Sequence, residues 1–380
     1  MANWLGTWKY RHKITVDSTK IDTSDLTWFP VTVFLNTTAG SGDDDVSDIF
    51  DELTSDANRT KIAFTKADGT TQLYAEIEKW DDANETAILH VSKTGWVLDY
   101  DADTELYIYF DSSQSANTTY IGDINSTPGA SVWDGNFKAV YHLADDNLYD
   151  STSNNNDCTD QGSDDIAGKI GQGRDFIPAN TDYIETNYTP ADGDQTVECW
   201  AKFDDVSGDH ILFHNFDAST YDLRLLYSAN NITANVYDGT NYDLVNYAYS
   251  DTTNWHHFVA VRDKGTYIKL FEDGVEKDTA GDSAGTCTAQ DYWIGRLPPV
   301  SADYMDGIID EVRFSETPRL VNWLKATYNA GSDLLIKDYA AKEEIAATTD
   351  IKSFNNLAYA SMKSIMGLGI ADIKSINGLE

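Results

Sequence analysis

The chain has 380 residues, enough for two ordinary domains and a tail. Hydrophobic residues make up 41%, which excludes a largely disordered chain. The formal net charge is −36, from 63 acidic and 27 basic residues, which argues against nucleic acid and anionic membranes as partners and suits solubility, high salt or divalent cations.

Residues 1–124 read as a β domain. Arg11–Val16, Val31–Leu35, Ile62–Thr65, Ala87–Val91 and Glu105–Phe110 alternate or run apolar as half-buried strands do. Turn chemistry such as Asp68-Gly69 separates them, and Asp48–Leu53 is predicted as a short helix. Small residues, Pro and Gly cluster over Asn125–Ala130, so 125–132 is taken as a linker. Met1 is followed by a polar, aromatic segment, so no export signal is expected there. No run reaches ~18 apolar residues, so membrane insertion is not expected.

Residues 133–331 repeat this grammar on a larger scale. Strands are predicted at Ile211–Phe213, Asp222–Tyr227, Ile232–Tyr237, His257–Val261 and Tyr267–Phe271, the last entering a hairpin through Asp273-Gly274. Many short strands at regular spacing argue for a sandwich or jelly roll. Pro318–Tyr328 has helical spacing, with Leu320, Trp323, Leu324 and Tyr328 on one face. Cys158, Cys199 and Cys287 are too few and too far apart for a disulfide framework.

Residues 332–380 change character. Leu334–Ala347 is predicted helical, and an eleven-residue repeat follows. Its copies place Ile351, Phe354 and Leu357, then Met362, Ile365 and Leu368, then Ile373, Ile376 and Leu379, at matching positions. Short apolar units cannot bury their own faces and need neighbours or a partner. An eleven-residue period fits a right-handed helical supercoil. Gly367, Gly369 and Gly378 would each cost about 1 kcal/mol inside a helix, so short helical turns or strand–turn units stacked on a partner are equally open to the tail. Either way the tail reads as an assembly device that makes the chain oligomeric or attaches it to other virion or surface proteins.

Four ordered motifs carry a family resemblance. Trp133–Leu143 with Tyr149–Asp157, Asn254–Val261, Phe271–Val275 and Met305–Arg313 resemble the opening segment, central strand, hairpin and closing strand of a laminin-G-like, concanavalin-A-like lectin domain. Trp8–Val16, Lys61–Phe64 with Asp68-Gly69, and Leu106–Phe110 resemble a domain of unknown function that often precedes such lectin-like domains. The pairing is similar to proteins of bacterial and archaeal surfaces and of tailed phages, and the tail is similar to those ending some phage virion proteins. The expected fold is therefore all-β, with two β-sandwich (jelly-roll) domains in tandem and a short helical or repeat tail.

Lectin-like folds host both binding modules and glycanases, so chemistry has to decide. A retaining glycanase needs two carboxylates about 5–5.5 Å apart. No Glu-x-Asp-x-Glu-like strand is present. Glu76-Ile77-Glu78 is the nearest pattern and lies in the other domain, while adjacent Asp310 and Glu311 are expected on opposite strand faces. The same parity keeps His256 and His257 from sharing an ion. The chain is thus expected not to be an enzyme. The lectin resemblance implies a Ca²⁺ site at Asp150, Asn156 and Asp310, against which stands a purely structural role in turns and hydrogen bonds. Sugar contacts need aromatic faces near turns, which singles out Tyr221, Tyr237, Tyr242 and Tyr247 for host-surface glycans. Most Trp residues are expected in the core. These features add up to a virion-surface structural and adhesion protein, of phage decoration or fibre type. A secreted or cell-surface carbohydrate-binding protein of a bacterium or archaeon is the alternative, and a glycoside hydrolase ranks behind both.

Overall fold

The computed structural model describes residues 3–144, 148–216, 220–288, 290–297 and 303–345, and the tail residues 353–354, 357–358, 364–365 and 368–369. Residues 1–342 form one compact unit and 343–380 a second.

In the first unit the predicted N-terminal strands pair into one sheet, in the order Ile336–Tyr339, Tyr10–Val16, Thr104–Phe110, Ile62–Lys66, Gln72–Asp81, Thr86–Ser92, Val31–Leu35. Ile14, Val33, Phe64, Leu89 and Ile108 feed its apolar core, and the predicted helix Asp48–Leu53 adds Ile49, Phe50 and Leu53. The linker contains one helical turn, Thr127–Ala130: the Ser126 hydroxyl accepts from the Gly129 amide at 3.1 Å, and Pro128 fits the first turn.

The second β system is a sandwich. One sheet runs Asp164–Ala167, Gln172–Phe176, Gly307–Ser315, Gln195–Phe203, His256–Asp263, Tyr267–Glu272, Val275–Ala280, with Phe137–Tyr141 also paired to Gly307–Ser315. The facing sheet runs Thr159–Asp160, Ile184–Glu185, Trp293–Ile294, His210–His214, Tyr221–Ser228, Asn231–Tyr237, Tyr242–Ala248. Cys199, Phe203, Leu225, Val236, Phe258 and Phe314 fill the space between them. The hairpin at Asp273-Gly274 has φ of 54° and 75°, as a two-residue primed turn requires. All three cysteines are free.

The outer faces of the two sheets differ. Trp133, Phe137, Val140, Val259, Val261 and Phe271 of the first sheet and its surroundings join the N-terminal core, together with Trp323 and Leu324 of the helix Val321–Gly331. That outer face is therefore covered by the N-terminal sheet. The outer face of the second sheet carries half-buried and exposed residues such as Tyr237, Tyr242 and Leu244.

Two expectations are corrected. Among the described residues of this stretch, which run to 345, the helix predicted over 334–347 is not formed: Ile336–Tyr339 is a strand paired antiparallel to Tyr10–Val16, with Tyr339 opposite Ile14 and Ile336 opposite Val16. Burial of Leu335, Ile336 and Tyr339 in the N-terminal core outweighs their helical propensity. Asp310 and Glu311 do not point to opposite faces. Glu198 lies opposite Arg313 and Trp200 opposite Asp310, so the Gly307–Ser315 strand holds one extra residue, with Glu311 at φ 51°. The bulge leaves Ile309 and Val312 in the sandwich core and turns both carboxylates away from it.

The tail, in its own unit, is not a helical supercoil in its described part. Ser353–Phe354 pairs with Leu357–Ala358, and Ser364–Ile365 with Leu368–Gly369, both antiparallel. The two hairpins repeat at the eleven-residue period. Two residues separate each strand pair in sequence, Asn355-Asn356 and Met366-Gly367; Asn and Gly are types that two-residue hairpins accept, and Met is not. Ile351, Met362, Ile373, Ile376 and Leu379 lie outside the described residues, as do the side chains of Phe354, Leu357, Ile365 and Leu368.

Asp333 follows the last helix with φ 55°. Its Oδ2 accepts from the Gly40 amide at 3.0 Å, and its Oδ1 is buried without a partner among the described residues. Burial pushes this carboxyl up to about 7, against the pull of the Gly40 hydrogen bond. A raised carboxylate value means stability is lost as pH rises through 7 and fully kept only below the unfolded value near 4. Asp333→Asn, which also tolerates positive φ, should therefore stabilise the protein at pH 8 by on the order of 1–2 kcal/mol after allowing for partial exposure, and so raise Tm. The gain should shrink toward pH 4, and thermal melts across that range check it. A gain independent of pH would contradict the assignment to Asp333.

Candidate functional site

The open outer face of the second sheet brings polar and aromatic side chains together. In Asn231–Tyr237, Ile232, Ala234 and Val236 enter the core, so Asn235 and Tyr237 share the outer side. Tyr242 lies opposite Tyr237 and Leu244 opposite Asn235. In Tyr221–Ser228 a register shift between Tyr221 and Arg224 lets both face outward, while Leu223 and Leu225 stay in the core.

These positions form a connected patch. Tyr221, Tyr237 and Tyr242 follow one another with ring centroids 5.8 and 6.3 Å apart. The Arg224 guanidinium lies 4.3 Å over the Tyr221 ring, donates through Nε to Asn235 Oδ1, and meets His214 Nε2 at 2.9 Å. Asn235 Nδ2 donates to the Tyr242 hydroxyl at 2.9 Å. Burial, with the Arg224 cation adding to it, holds His214 well below the ordinary imidazole range, so it is neutral. Burial pushes the Tyr221 hydroxyl up to about 12 despite Arg224. His214 Nδ1 and both amide atoms of buried Asn215 have no hydrogen-bond partner among the described residues. Tyr242 is 50% exposed, so the patch ends in a ring face open to solvent.

A second aromatic group sits on the neighbouring strand. Trp293, opposite His214, stacks on Tyr183 at 5.0 Å and 18°, and Arg296 lies 4.3 Å over Tyr183. Rings and a guanidinium held by hydrogen bonds offer flat apolar contact beside donors and acceptors.

Of the residues singled out for sugar contact, Tyr221, Tyr237 and Tyr242 come together here. Tyr247 does not. It packs against the sandwich core on the other side of its strand, with Lys277 5.2 Å over its ring. His214, Asn215, Arg224, Asn235 and Trp293 were not anticipated. Strict period-two reading from Val236 would have placed Asn235 on the outer face, but Arg224 and His214 depend on irregular registers that the sequence does not signal.

Of the residues expected at a Ca²⁺ site, Asp150 and Asn156 share one hydrogen-bonded loop, and Asp310 is held in another. Asp150 accepts from the amides of Val140, Thr152 and Asn156 and from the Thr152 hydroxyl, at 2.8–3.1 Å. Asn156 donates to the Lys138 carbonyl at 2.8 Å, and Asp310 Oδ2 accepts from the Ile170 amide at 2.8 Å. These are roles in holding loops together. His256 meets Asp273 at 2.8 Å, whereas buried His257 lies 3.4 Å from Glu198.

The geometry is that of a lectin-like β-sandwich whose one free sheet face is aromatic and polar, joined to a second β domain. Residues 178–323 match the family described as the concanavalin A-like lectin/glucanases superfamily. Among solved structures, the fold is similar to the binding domain of Paraclostridial Mosquitocidal Protein 1, at 12% identity and TM-score 0.44 over 51% of this chain and 52% of that one. It is similar to the botulinum neurotoxin serotype D binding domain, at 13% identity and TM-score 0.43 over 51% of each. It is also similar to domain 4 of AbnA, a GH43 extracellular arabinanase from Geobacillus stearothermophilus, in complex with arabinotriose, at 18% identity and TM-score 0.43 over 50% of this chain and 96% of that one. The match thus spans about half the length of the two toxin structures. No curated protein sequence matches the chain.

Proposed function

We propose that this chain is a non-enzymatic adhesion protein that binds carbohydrate through the outer face of its lectin-like sandwich. The observation that carries this reading is the patch of Tyr221, Tyr237 and Tyr242 around Arg224 and Asn235, on the sheet face that the N-terminal domain leaves open. Stacking rings would take the apolar face of a sugar, and the guanidinium and amide its hydroxyls. The lectin family match over 178–323 supports the same reading. The repeated hairpins of the tail would attach the protein to a larger particle, as in a tailed-phage decoration or fibre-type protein at the virion surface.

A glycan array on the full chain, followed by titration calorimetry on the best ligand, tests this. Tyr242→Ala and Arg224→Ala should each weaken binding at least tenfold, roughly the size of a binding hot spot. Tyr242→Ala should leave Tm unchanged, because half of that side chain is already in solvent. No glycan bound, or wild-type affinity in both variants, would overturn the reading. Turnover of a polysaccharide by the wild-type chain would overturn its non-enzymatic part.

A further inference from the structure

Four metal-ligating side chains converge where the N-terminal sheet meets the covered face of the sandwich. Glu78 comes from Gln72–Asp81, His90 from Thr86–Ser92, His142 from just after Phe137–Tyr141, and Glu311 from the bulge in Gly307–Ser315. One ligand atom from each lies within 4.8 Å of the others. All four side chains are at most 1% exposed. His90 Nε2 is 2.8 Å from Glu78 Oε2, His142 Nδ1 is 3.6 Å from the same oxygen, and His142 Nδ1 also meets Glu311 Oε1.

The surrounding groups aim these ligands inward. His90 Nδ1 lies 3.3 Å from the Thr32 hydroxyl, which leaves Nε2 for the centre. His142 Nε2 lies 3.3 Å from Glu76 Oε2, which leaves Nδ1 for the centre. Glu76 is held in turn by the Trp133 indole at 2.8 Å. Arg313 takes the second oxygen of Glu311. An outer oxygen on each imidazole is the arrangement that fixes tautomer and ring orientation at metal centres. The Oε1 atoms of Glu78 and Glu76 are buried with no hydrogen-bond partner among the described residues, a costly state for a purely structural network.

We propose that Glu78, His90, His142 and Glu311 form a binding site for a divalent transition-metal ion, with Zn²⁺ the first candidate. Two imidazoles and two carboxylates suit zinc or a neighbouring first-row ion, whereas Ca²⁺ and Mg²⁺ prefer all-oxygen sites. Two carboxylates also balance the charge of a divalent ion inside the protein. Each domain supplies two ligands, so the ion staples the N-terminal domain to the sandwich. A cleft of about 310 Å³ has Glu78 and His142 in its wall beside Asp56, Arg59, Trp80 and Asp123, and gives the ion a route in.

The test is metal analysis of the full chain. The protein is stripped with a chelator, offered Zn²⁺ or, in parallel samples, Mn²⁺, Co²⁺ or Ni²⁺, passed through a desalting column and measured by plasma mass spectrometry. About one equivalent should be retained, and Tm should rise on loading and fall on chelation. His142→Ala should lose the retained ion. Glu76→Gln, which reaches the centre only through the second nitrogen of His142 and can still accept from the Trp133 indole, should keep the fold and weaken Zn²⁺ roughly 10–100-fold. Wild-type protein that retains no Zn²⁺, Mn²⁺, Co²⁺ or Ni²⁺ above background, with Tm unmoved by metal or chelator, would overturn the proposal. So would His142→Ala protein that is folded and retains a full equivalent.

Discussion

Replacing Arg262 with methionine is expected to cost the sandwich about 3–5 kcal/mol at pH 7.5, the range for breaking a buried ion pair from one side. Arg262 closes the His256–Asp263 strand and is 0% exposed. Its Nη1 meets Asp222 Oδ1 at 2.6 Å and its Nε meets Asp282 Oδ2 at 2.9 Å. Asp222 belongs to the facing sheet, so the guanidinium ties the two layers together at one end of the core. Gln195 donates to the other Asp222 oxygen at 2.6 Å and accepts from the Tyr292 hydroxyl at 2.9 Å, which extends the network across the sandwich. Burial already pushes Asp222 up to about 6 with Arg262 beside it. Without the cation, two buried carboxylates face each other's charge and Asp222 moves higher. Its folded-state value then lies above its unfolded one, so the deficit is full above that value and shrinks as pH falls toward 4. Urea unfolding of wild type and Arg262→Met at pH 7.5 and 5 checks both statements. Adding Asp222→Asn and Asp282→Asn to Arg262→Met should recover much of the loss, because the uncompensated charges are gone. A variant as stable as wild type at pH 7.5 would show that the network holds little of the sandwich together.

The strands were legible because their chemistry is local. Val31–Leu35 and Thr104–Phe110 show it in their own residues, and the Asp273-Gly274 hairpin announces itself through two types that accept positive φ. What the sequence hid is non-local. Nothing in Ile336–Tyr339 says that its partner is Tyr10–Val16, more than 300 positions earlier, so its apolar residues read as a helix. The seam ligands were hidden in the same way. Glu76-Ile77-Glu78 reads only as the nearest pattern to a catalytic pair, and Asp310-Glu311 is set aside as such a pair by a parity rule that holds for regular strands and fails at a bulge. His90 and His142 are 52 positions apart, yet their rings stack at 4.6 Å because the N-terminal sheet packs on the sandwich there. On the sandwich, tyrosines near turns were a usable signal for the open face. It located three rings of the patch but not Arg224, whose outward direction comes from the register shift beside Tyr221.

Where the chain can be cut separates body from tail, and the two possible cuts should behave very differently. A chain ending at Lys342 keeps the whole first unit and should melt like the full-length protein. A chain ending at Ser332 loses Leu335, Ile336 and Tyr339, which are 1%, 1% and 5% exposed. Burial of each is worth about 1.5–3 kcal/mol, so the loss is roughly 5–9 kcal/mol as an upper bound. Polar ties go with them. The Tyr339 hydroxyl donates to the Phe34 carbonyl at 2.8 Å, its amide donates to Asp44 Oδ2 at 2.7 Å, and Asp333 no longer accepts from Gly40. The Tyr10–Val16 strand would also be left with unpaired backbone groups along one edge, a template for aggregation. The shorter chain should therefore melt at much lower temperature and come out largely insoluble, as thermal melts and soluble yield would show. Equal melting of both truncations would mean that Ile336–Tyr339 contributes nothing to the N-terminal sheet. The longer truncation also bears on the proposed role of the tail. It should keep glycan binding, since the sandwich patch is intact, yet lose oligomeric or particle association, since the repeated hairpins are gone. Size-exclusion chromatography with light scattering, run on protein whose Tm matches full length, reads that loss without confusing it with unfolding. A Lys342-terminated chain that still assembles would move the attachment function from the tail to the body.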